Sequence, residues 1–88
     1  MEKIIQLPIF VTRENDWFVA CCPILDIATQ GESENEAKEN MKELIQEYMS
    51  DPDTYKPPLD VIISSSVSMT AIPVKIDYAP KTSATASA

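Results

Sequence analysis

The sequence predicts an α+β domain of order β-β-β-α-β, an antiparallel or mixed sheet with one main helix packed on one face. Three observations carry that expectation. Apolar residues alternate at period two in short runs before residue 31, they recur at three- and four-residue spacing between residues 37 and 48, and a further alternating run begins at Ile72. With 88 residues, 44% of them hydrophobic and 24% charged, the chain has room for one core and the composition of a globular domain. A single domain is expected over residues 1–78 and a flexible C-terminal tail over 79–88, where no large apolar group remains to anchor the chain.

The first extended run, Lys3 to Arg13, places Ile5, Leu7, Ile9 and Val11 on one face. Pro8 has no amide to donate, so its position must be at an edge, at a bulge or turned toward solvent. Glu14, Asn15 and Asp16 supply a turn and Trp17 to Cys22 a second run, which closes a β-hairpin. Pro23 interrupts; then Leu25, Ile27 and Thr29 alternate with Asp26, Ala28 and Gln30 in a third strand that ends at Gly31, the single glycine of the chain. That glycine permits the turn from strand to helix. Ser33 followed by Glu36 forms a capping box, in which the hydroxyl accepts from the amide three residues on and the carboxylate reaches back to the cap. Ala37, Met41, Leu44, Ile45 and Tyr48 then form one apolar stripe, and Pro52 ends the helix.

After a turn-rich linker over Asp53 to Pro58, two more extended candidates follow. In the first, LDVIISS, Val61 and Ile63 oppose Ile62; in the second, Ile72, Val74, Ile76 and Tyr78 alternate with polar residues or proline. Ser64, Ser65, Ser66 and Ser68 form either a turn between two strands or a bulged stretch of one long strand, and periodicity allows both.

Composition excludes much chemistry. The absence of histidine removes the imidazole base, the histidine-containing triads and the common histidine zinc sites. One glycine cannot build a phosphate-cradling loop. Cys21 and Cys22 are adjacent, so they form neither a CxxC hook nor a disulfide framework; strand geometry sends at most one of them into the core, and without a histidine or nearby cation neither is a primed nucleophile. No catalytic residue, metal site or cofactor is expected. The cysteine usage and the lack of a signal-like or membrane-spanning apolar run are those of a soluble cytoplasmic protein.

The charge is informative. Seven basic residues stand against fourteen acidic ones, a net of −7, which disfavours direct binding to nucleic acid, and the short apolar runs give no reason to expect a membrane partner. Between Glu32 and Asp53, eight carboxylates (Glu32, Glu34, Glu36, Glu39, Glu43, Glu47, Asp51, Asp53) face only Lys38 and Lys42, so six of the seven net charges sit in this stretch. Glu34 with Lys38 is a stabilising spacing, but Glu43 with Glu47 is repulsive. Carboxylates placed at a local cost point to a basic partner protein. The residues expected at the partner contact are Trp17, at the hairpin turn, and Glu39, Glu43 and Glu47 on the helix.

Several motifs occur together in this order: Trp17-Phe18-Val19-Ala20, then Cys22-Pro23-x-Leu25, then Thr29-x-Gly31-Glu32-Ser33, and Glu36-Ala37-x-x-Asn40 leading to Leu44. Over about residues 3 to 50 the segment resembles the HicB-like antitoxins of the HicA–HicB toxin–antitoxin systems, a family of small domains with a partial RNase H fold. The segment departs from the family where Asp26-Ile27-Ala28 replaces a frequent P-G-C turn, and nothing after Pro58 has the length or basic charge of an appended DNA-binding domain. The resemblance implies a non-enzymatic module that binds and neutralises a HicA-like toxin, a small basic mRNA-cleaving protein, with no operator binding by this chain alone. The metal-binding acids of a true RNase H are missing from the first strand, since Ile4 to Thr12 contains none. Two other readings remain: an orphan homo-oligomeric domain, dimeric or larger, that pairs through an exposed strand edge, and a degenerate metal-dependent nuclease that uses Asp26.

Overall fold

Two prolines set the length of the first hairpin. In the computed structural model, which describes residues 4–81, strand β1 (Phe10–Glu14) pairs antiparallel with β2 (Trp17–Cys22), from Phe10↔Cys21 to Glu14↔Trp17. Continuing that register would set Pro8 opposite Pro23, where neither residue has an amide to donate, so the ladder stops short. The first strand is therefore shorter than the expected Lys3–Arg13, of which Lys3 lies outside the described residues. Residues 4–9 have no regular secondary structure, yet the alternation survives in their packing. Ile5, Leu7 and Ile9 are half-buried against the core, and Gln6 and Pro8 are exposed.

The hairpin closes through Asn15, which takes a left-handed φ of 58°, a conformation its short amide side chain tolerates. Strand β3 (Ile27–Gly31) pairs antiparallel with β2, from Phe18↔Gly31 to Cys22↔Ile27, after a turn over residues 23–26 in which Asp26 has φ 57°. Leu25, expected in the strand, is instead buried within that turn. The sheet order is β1-β2-β3.

Helix α1 (Glu34–Ser50) packs on one face of this sheet, mostly against β2 and β3. Its start follows the expected capping box with one change. The Ser33 hydroxyl accepts from the Glu36 amide at 3.0 Å, while the Glu36 carboxylate accepts from the amide of Glu32, not Ser33, at 2.7 Å. Glu34 and Glu36 also place negative charge at the positive end of the helix dipole. Pro52 forces Asp51 into an extended conformation (φ −81°, ψ 113°), and the helix ends there. Ala37 and Met41 are buried, and Leu44, Ile45 and Tyr48 are half-buried along the expected stripe.

Gly31 owes its role to space rather than to turn freedom, since its φ is not positive. A Cβ there would lie 2.6 Å from the amide nitrogen of Ala37 and 2.9 Å from the carbonyl carbon of Glu36. Only a residue without a side chain lets the first turn of α1 rest on the end of β3. Asn40 locks the same contact by donating from Nδ2 to the Gln30 carbonyl at 2.9 Å.

The element after α1 differs from the expectation. Residues 59–64 form a short helix, α2 (Leu59–Ser64), not a strand. Pro58 starts it: its carbonyl accepts from the amides of Val61 and Ile62, and the hydroxyls of Ser64 and Ser65 then bond back to the Val61 carbonyl. A short apolar run is compatible with helix or strand by periodicity alone, and these local bonds decide for the helix. Ile62 enters the core formed by Ala20, Cys22, Leu25, Ala37 and Met41, whereas Leu59, Val61 and Ile63 stay exposed. Residues 65–81 carry no regular secondary structure and are exposed throughout. No strand follows α1 among the described residues. The observed fold is thus α+β with a three-stranded antiparallel sheet and one main helix, without the expected fourth strand. Of the expected tail over 79–88, residues 82–88 lie outside the described residues. No helix among the described residues is long and apolar enough to cross a membrane.

Candidate partner-binding surface

Strand parity divides the sheet into two faces. Ala20 and Cys22 of β2 point to the helix and are fully buried; Trp17, Val19 and Cys21 alternate with them and point to the opposite face. The hairpin register adds Phe10, Thr12 and Glu14 to this second face, and β3 adds Ala28 and Gln30. Among the described residues no element covers it. Trp17 is 43% exposed at its end, and Phe10, Val19 and Cys21 are half-buried.

Glu39, Glu43 and Glu47 are exposed and follow one another at four-residue spacing, so they lie along one side of α1. That side is turned away from Met41 and the sheet. The four expected contact residues therefore form two surfaces. The three glutamates share the outer face of the helix, and Trp17 belongs to the uncovered face on the other side of the domain. The two-residue loop at Asn15-Asp16 carries the signal for Phe10, Val19 and Cys21 as Trp17's neighbours, because it fixes which residues of the two strands share a face.

Charge on α1 is poorly compensated. Lys38 lies 3.8 Å from Glu34, an exposed pair contributing only a few tenths of a kcal/mol, roughly. The last turn of the helix contains no basic residue, although cations are favoured there. The missing cation comes from beyond the helix, where Lys56 folds back and donates from Nζ to the carbonyls of Asp51 at 2.6 Å and Thr54 at 3.1 Å. Asp51 accepts from the Thr54 hydroxyl at 2.6 Å and from the Asp53 amide at 2.9 Å. The Thr54 bond above all, then the Asp53 amide, and more weakly Lys56, hold its carboxyl below the ordinary range. Tyr48 ties the same loop down by donating to the Tyr55 carbonyl at 2.9 Å.

Asp26 is exposed in its turn, and among the described residues no group of three or more Cys, Asp or Glu side chains converges as a metal site would require. Cys22 is buried and Cys21 half-buried; both are free thiols. Comparison of the chain with protein-family models, with curated proteins and with solved structures returns no match.

Proposed function

We propose that this chain is a non-enzymatic, HicB-like antitoxin module that neutralises a small basic mRNA-cleaving toxin of the HicA type by docking it on the outer face of α1. The observation that carries the reading is the row Glu39, Glu43 and Glu47, three exposed carboxylates along one side of a helix that gains nothing locally from their repulsion. Such a row supplies the complementary potential that steers a basic protein and selects it over neutral ones. The motif residues behind the resemblance also act together in the fold. Gly31, Ser33, Glu36, Ala37 and Asn40 all serve the single junction between β3 and α1, which sets the direction in which the glutamates point.

The test is an RNA-cleavage assay with the small basic protein encoded beside this chain. Stoichiometric addition of the chain is expected to stop cleavage, and the triple charge reversal Glu39→Lys, Glu43→Lys, Glu47→Lys to weaken the complex by at least about tenfold, equivalent to about 1.4 kcal/mol. A gene neighbourhood without such a protein, or a toxin that stays active and unbound, would overturn the proposal. So would RNA cleavage by the purified chain itself in magnesium, abolished in Asp26→Asn, which would make the chain a nuclease.

A further inference from the structure

Residues 4–9 approach α1 with alternate side chains only, and the two do not close on each other. A groove of about 700 Å³ runs between them, with Ile5, Leu7 and Ile9 on one side and Met41, Ile45 and Met49 on the other. Its chemistry is one-sided. The lining contains no aromatic ring and no carboxylate, in a chain that carries fourteen acids against seven bases. Its polar side chains are Lys38, Lys42 and Gln46, which are exposed and follow one another at four-residue spacing along one edge of α1. Lys38 and Lys42 are the two cations of the acidic stretch, so on a largely anionic helix this edge is where an anion can approach.

Each feature selects a part of a ligand. The Ile, Leu and Met walls offer no group to orient a polar body, so the body must be aliphatic, and the two flexible thioethers adapt to a flexible chain better than to a rigid ring. Ammonium groups only donate, so the head at the rim must accept and is best an anion. Both lysines are within its reach energetically. Among the described residues Lys42 makes no ion pair, and Lys38 has only Glu34 at 3.8 Å, an exposed contact that is displaced at little cost. From residue 38 to residue 49 the helix rises about 16 Å, which gives the groove the proportions of an extended hydrocarbon chain.

We propose that this groove binds a free fatty carboxylate as a monomer, its hydrocarbon chain along Met41, Ile45 and Met49 and its carboxylate at the rim between Lys38 and Lys42. Charge complementarity separates this occupant from the others. The chain's own residues 72–78 alternate apolar side chains, but they bring Lys75 together with Asp77 and so offer the lysine rim no net charge. An anionic bilayer presents many charges at once to a chain of net −7 and is repelled. A single carboxylate is not, because repulsion from distant glutamates is screened beyond about 8 Å while the lysines act at contact. The site lies apart from Glu39, Glu43 and Glu47 on the outer face of α1, so it does not depend on what docks there.

An NMR titration of the full chain, with isotope-labelled methionine methyl groups and sodium dodecanoate kept below its micelle-forming concentration, tests the site. The Met41 and Met49 methyl signals should shift and saturate at one equivalent, while Met69, 80% exposed and outside the groove, stays in place. Dodecyltrimethylammonium, which has the same chain and the opposite charge, should bind at least about tenfold more weakly. Lys38→Ala with Lys42→Ala should weaken dodecanoate binding by about tenfold, the share of two partly exposed ion pairs, with unchanged circular dichroism because both side chains are exposed. Shifts that never saturate, equal binding of the cationic surfactant, or a lysine variant that binds as the wild type does would each overturn the proposal. So would capture of the chain by phosphatidylglycerol vesicles without binding of the monomer. Binding that appears only in Ile72→Asp with Ile76→Asp would also overturn it, by giving the groove to the chain's own residues 72–78.

Discussion

Residues 10–50 and residues 59–78 both carry apolar side chains in ordered spacing, but the first region supplies most of the buried core and the second only Ile62. In the first region every element has a neighbour: β2 has two strands beside it, α1 lies on the sheet, and Gly31 and Asn40 tie helix to strand. In the second, Ile62 alone reaches the core, and Ile63, Ile72, Val74, Ile76 and Tyr78 meet solvent. The difference teaches that alternation specifies which face of a segment can be covered. Whether it is covered depends on a partner within reach.

The sharpest way to break this comparison is at two adjacent residues of the same type. Ile62→Ala removes a fully buried side chain and should cost about 3 kcal/mol, as large-to-small core changes do. Ile63→Ala, at a residue 52% exposed, should change stability by less than about 0.5 kcal/mol. Urea unfolding of both variants reads the contrast. If residues 59–64 formed a strand with Val61 and Ile63 inward, the two costs would be reversed, and α2 would be ruled out.

A second test concerns the well-packed region alone. Gly31→Ala sets a Cβ against the backbone of Ala37 at 2.6 Å, and backbone cannot swing aside as a flexible side chain can. The expected loss is about 2 kcal/mol, in the range of overpacked cores, with a lower urea midpoint and an unchanged slope. A neutral or stabilising outcome would mean that α1 does not rest on the end of β3.

Much of residues 10–50 was legible in the sequence because its signals are local. A hairpin turn, a helix cap and a three-and-four spacing each act within a few residues. The turn expected over Glu14 to Asp16 narrows to Asn15 and Asp16, Ser33 caps the helix as expected while Glu36 reaches the Glu32 amide, and the apolar stripe of α1 is present. The exceptions have physical causes. Strand β1 lost its N-terminal half because two distant prolines meet across the ladder, which depends on register and not on the residues of the first run. Gly31 answers to the helix approaching it, a contact that the residues around it in sequence do not display. Beyond Pro58 the signals became ambiguous, since LDVII suits helix or strand and was decided by bonds from Pro58 and the serines. Of the candidate surface, the glutamate row was legible from helical spacing. The separation of Trp17 from it was not, because strand parity assigns a face only once it is known which face the helix covers.

The smallest expected effect sharpens the comparison at the hinge between the regions. Asp51 ends α1 and holds the loop leading to α2 through Thr54 and the Asp53 amide. Its carboxyl is held below its ordinary value in the folded chain, so the charged form is the one the fold favours. The sign follows: the contribution is complete above the unfolded value and is lost as pH falls through the lowered folded value. The group is fully exposed, so salt should screen the ionic share contributed by Lys56 while leaving the hydrogen bonds in place. Side-chain NMR titration should show Asp51 protonating at lower pH than an unbonded aspartate, and Thr54→Val should move it upward by removing the largest cause. An Asp51 that titrates identically in both chains would mean that the loop after α1 is not held by this carboxylate, leaving Lys56 and Tyr48 as its attachments.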